Sequence, residues 1–141
     1  MKIFFSGSIT GGRDDVNIYS EIVAHLKKIG EVFTEHVGDG NLDSNGEDLD
    51  PKVVHDRDIN WIKECDVLVA EITQPSIGVG YELRAAIDMD KKVLCLFRKD
   101  SGKKLSCMIR GSEDILVKEY SDIEEAKDII TSLLYCKCKV R

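Results

Sequence analysis

The sequence predicts a single α/β domain over residues 1–141, a doubly wound sheet of about five parallel strands with helices on both faces. Three observations carry that expectation. Short apolar runs alternate with helical patterns along the whole chain, the rhythm of parallel strands joined by crossover helices. No internal repeat or domain linker interrupts it. A chain of 141 residues is also long enough for one core that removes about 70% of its unfolded surface from water.

In order, KIFFS (2–6) is the first strand, and SGSITGGR (6–13) is a glycine-rich turn leading into the helix DDVNIYSEIVAHLKKIG (14–30). Ile18, Ile22, Leu26 and Ile29 follow the spacing of one buried stripe, and Gly30 stops the helix. EVFTE (31–35) is the second strand. GDGNLDSNGEDLDP (38–51) is a long acidic connection rich in turn formers, expected to be mobile and close to a ligand entrance. The helix PKVVHDRDINWIKEC (51–65), the strand DVLVAEI (66–72) and the helix GVGYELRAAIDMD (78–90) follow. The strand KVLCLF (92–97), a shorter helical piece around SCMIRGS (106–112), the strand ILVKEY (115–120) and the helix DIEEAKDIITSLLY (122–135) complete the pattern.

Composition narrows the function. Hydrophobic residues make up 43% and charged residues 33%, with a net charge of -6 and no basic stripe. That balance speaks against a nucleic-acid polymer as partner, while leaving open a small phosphate-bearing ligand held by local donors. The apolar runs are too short to cross a bilayer, so no membrane partner is expected. MKIFFSGS reads straight into a strand without the features of a secretory signal, and the expected location is the cytoplasm. Cys65, Cys95 and Cys107 lie in or beside apolar segments, so no disulfide framework is expected. Cys136 and Cys138 form one C-x-C pair, which reads as part of an exposed tail more readily than as a metal site. With three histidines and no H-E-x-x-H, C-x-x-C or G-x-S-x-G pattern, neither a metal, another cofactor nor a serine nucleophile is expected.

In open parallel sheets, ligands bind beyond the carboxyl ends of the strands. SGSITGGR, His36, TQPSIGVG (73–80) and RKDSGKKLS (98–106) all fall on that rim. SGSITGGR offers backbone N–H groups, hydroxyls and Arg13 to an anion, or is a tight turn that caps a helix. It matches neither the dinucleotide fingerprint nor the triphosphate loop. In PSIGVGYEL, Ser76 or Gly78 begins a helix, and Gly78 and Gly80 allow close approach to the backbone. Glu82 borders the packed face of Val79, Leu83, Ala86 and Ile87; its plain alternative is a glutamate favoured near a helix start. Asp58 breaks the apolar stripe of Val54, Trp61 and Ile62, where a carboxylate is costly unless paired, or else lies on the helix surface. Asp56 faces water, and His36 either touches a ligand or caps a strand.

FSGSITGGR, D-x-N-W-I, DVLVAEITQPSIGVGYEL and SGKKLSCMIRG together resemble the 2′-deoxynucleoside 5′-phosphate N-hydrolases of the nucleoside 2-deoxyribosyltransferase superfamily. The likeness runs from the first strand to about Gly111. It implies a flavodoxin-like sheet and cleavage of deoxynucleoside monophosphates into free base and 2-deoxyribose 5-phosphate. Glu82 would be the nucleophile and Asp58 the proton donor to the departing base. Phe4, Gly7, Ser8, Ile9, Gly11, Gly12 and Arg13 would line the nucleotide pocket, with Ser76 and Gly78 near the 5′-phosphate and His36 beside the base. Ser106, Cys107 and Met108 would reach the partner's site in a homodimer. Phe4 stands where the mammalian members carry tyrosine, which leaves ribose selectivity open. A deoxyribosyltransferase, a ribonucleoside monophosphate hydrolase acting on CMP and a noncatalytic nucleotide-binding module are the competing readings.

Overall fold

The structure is a computed structural model and describes residues 1–135; Cys136 and Cys138, the proposed tail pair, lie outside the described residues. Five parallel strands form one sheet: β1 (Lys2–Ser6), β2 (Glu31–Val32), β3 (Val67–Glu71), β4 (Lys92–Arg98) and β5 (Leu116–Tyr120). Their spatial order is β2-β1-β3-β4-β5. The strand order reverses direction between β1 and β3, so the crevice beyond their carboxyl ends is where this topology binds ligands. Ser6 and Glu71 are the last residues of those two strands.

The helices are α1 (Val16–Leu26), α2 (Pro51–Glu64), α3 (Ile77–Asp88), α4 (Cys107–Arg110) and α5 (Ile123–Tyr135). Successive strand residues point to opposite faces, and the core divides accordingly. Ile3, Phe5, Val67 and Val69 pack with residues of α1 and α5, whereas Phe4, Leu68 and Ala70 pack with Ile62 of α2 and with Val79, Leu83 and Ala86 of α3. Ser6 follows Phe4 onto the α2/α3 side. Glu71 follows Val69 onto the other.

Two elements depart from the sequence expectation. The second strand stops at Val32, because Thr34 replaces the ladder: its Oγ1 accepts from the Phe5 N–H at 2.7 Å and donates to the Phe5 carbonyl at 2.6 Å. The chain then turns into a 3-10 helix, Glu35–Gly38. Helix α1 ends at Leu26 rather than near Gly30, and its buried stripe is Tyr19, Ile22, Val23 and Leu26, with Ile18 and Ile29 only partly buried. Among the described residues no helix is long and apolar enough to cross a membrane.

Candidate active site

Ser76 caps α3, its Oγ accepting from the Val79 N–H at 3.3 Å, and this sets the phase of the helix. Val79, Leu83 and Ala86 then face the sheet. Glu82, at the edge of that face, is directed to the end of β1, where the buried Ser6 hydroxyl donates to its Oε2. Burial pushes the Glu82 carboxyl up to about 7; the Ser6 hydrogen bond pulls it down and the nearby Asp58 charge pushes it up again.

Asp58 comes from α2, whose start is fixed by Pro51 and by the Asp50 side chain accepting from the Lys52 N–H. Arg57 Nε donates to Asp58 Oδ1 at 2.9 Å, and the same guanidinium grips both oxygens of Glu47 at 2.8 and 2.7 Å. Its Cζ also lies 4.6 Å from the Trp61 ring centre. Burial raises the Asp58 carboxyl above its ordinary value, against the opposing pull of Arg57. His36 Nε2 sits 3.6 Å from Glu47, beside Trp61, and burial lowers its pKa, favouring the neutral ring. Asp56 turns away to Lys52 and His55, with its side chain half exposed.

The glycine-rich turn folds against the start of α3. A Cβ on Gly11 would stand 2.7 Å from the Pro75 carbonyl, and Gly12 has φ of +127°, so both glycines are required by the backbone. Gly7 and Ser8 are buried, and Ile9 packs partly into the α1 side. The turn also changes the reading of Arg13. Its guanidinium donates to the carbonyls of Ser8 (3.2 Å), Val37 (2.9 Å), Asp39 (2.8 Å) and Leu42 (2.9 Å). Four of its five N–H donors are thereby engaged, so Arg13 ties down the connection after β2 rather than presenting a free fork to a phosphate. With Glu47 also clamped by Arg57, the acidic loop is anchored at two points, where the sequence suggested a mobile segment.

Phe4 is fully buried among Ile62, Leu68 and Leu83, so it is a floor beneath the site and offers no surface to a ligand. Gly78 and Gly80 are exposed, and an added Cβ would meet almost nothing; the fold itself gives no reason for glycine there. On the opposite flank of α3 lies an apolar cleft of about 980 Å³. Ser76, Ile77, Leu83, Ser106, Cys107 and Met108 are among its lining, and Ile77 and Met108 are almost wholly exposed. Glu82 and Asp58 do not line it.

The structure thus brings Glu82, Asp58 and His36 to one end of the sheet and puts Ser106, Cys107 and Met108 elsewhere on the rim. Sequence reasoning missed Ser6, Arg57 and Glu47. Ser6 had a detectable signal, a polar residue closing an apolar strand on the same face as Phe4. Arg57 and Glu47 had none, since an Arg–Glu pair bridging a loop and a helix leaves no periodic trace.

Residues 3–125 match the nucleoside 2-deoxyribosyltransferase family. The chain is 51% identical over 129 residues to a 5-hydroxymethyl-dUMP N-hydrolase of Tetraodon nigroviridis, covering 88% of this chain and 91% of that protein. It is 53% identical over 126 residues to a 5-hydroxymethyl-dUMP N-hydrolase of Danio rerio, covering 89% and 88%. A CMP N-glycosidase of Clostridium botulinum superimposes with a TM-score of 0.66 at 20% identity, over 92% of this chain and 98% of that one, a likeness of fold. On these matches, the chain belongs to the nucleoside 2-deoxyribosyltransferase family.

Proposed function

We propose that this protein hydrolyses the N-glycosidic bond of 2′-deoxynucleoside 5′-monophosphates, 5-hydroxymethyl-dUMP among them, through a glycosyl ester on Glu82. One observation carries the reading: Glu82, held by Ser6 at the end of β1, feels the charge of Asp58, both carboxyls are raised by burial, and the chain is 51% identical to a hydrolase of such a nucleotide. The Asp58 charge raises Glu82, and the division of labour follows from which of the two acids holds a proton. As the C1′–N bond breaks, its electron pair leaves with the base, which takes a proton from Asp58. Positive charge on the sugar favours anionic Glu82, whose oxygen bonds C1′. Water then attacks C1′, losing a proton to Asp58 while the C1′–O bond returns its electron pair to Glu82.

Arg57 supports this sequence by limiting how tightly Asp58 holds its proton. His36, neutral beside Trp61, suits contact with the base, and the unfilled space at Gly78 and Gly80 suits a 5′-phosphate near the start of α3. A homodimer belongs to the same proposal: the apolar cleft beside α3 suits a second copy whose Ser106 segment reaches the phosphate. The buried, unpaired thiols of Cys65 and Cys95 suit the reducing cytoplasm.

The test is incubation with a panel of deoxyribo- and ribonucleoside monophosphates, 5-hydroxymethyl-dUMP included, scored for free base. Release from the deoxyribonucleotides is expected. No release from any of them would overturn the assignment, and exchange onto an added second base would replace it with a transferase.

A further inference from the structure

We propose that Ser6 is a positioning residue for Glu82: its hydroxyl anchors Oε2 and leaves Oε1 as the oxygen that bonds C1′. This rests on the hydrolase reading for its chemistry, but its geometry stands without it. Ser6 closes β1 at the switch point of the sheet, is 1% exposed, and shares the α2/α3 face with Phe4. Its Oγ donates to Glu82 Oε2, whereas Oε1 accepts a hydrogen bond from no described residue. Backbone atoms of a central strand hold Ser6, so the donor is fixed before any ligand arrives.

A fixed donor acts on both halves of the reaction. In the first, it fixes the carboxylate plane and stabilises the anion that attacks. In the second, Oε2 has become the ester carbonyl oxygen, and the same hydroxyl stabilises the negative charge that returns to the carboxylate as the C1′–Oε1 bond breaks. No proton need leave Ser6 in either step. Asp58 of α2 is the charged group facing Glu82, with Arg57, His36 and Glu47 around Asp58, and among the described residues Ser6 is the one that donates a hydrogen bond to Glu82.

The test compares Ser6→Ala and Ser6→Cys with the wild type. In Ser6→Ala, the acidic limb of the kcat/KM profile is expected to move up by about one pH unit, with a roughly tenfold greater loss on the acid side than on the alkaline side. Ser6→Cys, a weaker donor of similar shape, is expected to fall between. A ¹³C-carboxyl NMR titration of Glu82 without substrate should move in the same direction. An unmoved limb together with an unmoved carboxyl titration, in a folded Ser6→Ala protein, overturns the proposal. Because the titration needs no turnover, a displaced Glu82 in a protein that cleaves no monophosphate would keep the Ser6 anchor and remove the hydrolase reading instead.

Discussion

Glu71 and Glu82 are two glutamates at the same end of the sheet, on opposite faces, and desolvation raises both carboxyls. Glu71 is fully buried on the α1/α5 side and surrounded by donors: the Thr73 hydroxyl, the Thr73 N–H at 3.3 Å and the Tyr120 hydroxyl at 3.0 Å. Glu82 is partly open, has the single donor Ser6 among the described residues, and faces another carboxyl. A buried acid whose lone pairs are occupied links strands and holds the fold. One left with a free oxygen beside a second acid remains available for chemistry. A raised carboxyl alone does not separate the two; exposure and the count of donors do.

The widest separation is expected in turnover. Glu82→Gln should lower base release by about a thousandfold or more with the fold intact, whereas Glu71→Gln should keep kcat within about tenfold. Equal losses in a steady-state assay would erase the distinction. Asp58→Asn sharpens the Glu82 side: a loss of about a hundredfold is expected, smaller for nucleotides whose base departs readily. A loss independent of the leaving base would deny Asp58 its role as proton donor.

Stability should divide the other way. Glu71→Ala strands the Thr73 and Tyr120 hydroxyls, and urea denaturation should show a loss of about 2–3 kcal/mol; Tyr120→Phe should cost about 1 kcal/mol. A comparably small effect concerns Glu82 itself. Its folded value of about 7 lies above the ordinary 4.5, so the native state binds more protons between those values and loses stability as pH rises through that window. Glu82→Gln removes that penalty. It should exceed the wild type by about 1–2 kcal/mol in mildly alkaline buffer, and the difference should vanish in acid below the ordinary carboxyl value.

Much of this was legible in the sequence because the signals were local. Apolar periodicity gave all five strands, Ser76 was one of two candidate starts of α3, and the phase of each helix put Glu82 and Asp58 at the margin of a buried face. What was not legible depends on distant partners. Thr34 ends β2 by bonding β1, and Arg13 is occupied by carbonyls from a loop whose course the sequence does not fix. Glu71 hides inside the apolar run DVLVAEI, and its partner Tyr120 arrives from another strand.

The central claim is that Glu82 bonds the sugar during turnover. Rapid quenching of the enzyme with saturating deoxynucleoside monophosphate, followed by mass spectrometry of its peptides, tests this directly. The expected result is a transient gain of one 2-deoxyribose 5-phosphate unit less water on the peptide holding Glu82, absent in Glu82→Gln. Quenched samples from active turnover that carry the adduct on another residue, or in which slowing deglycosylation with a 2′-fluorinated substrate still traps nothing on Glu82, would contradict it.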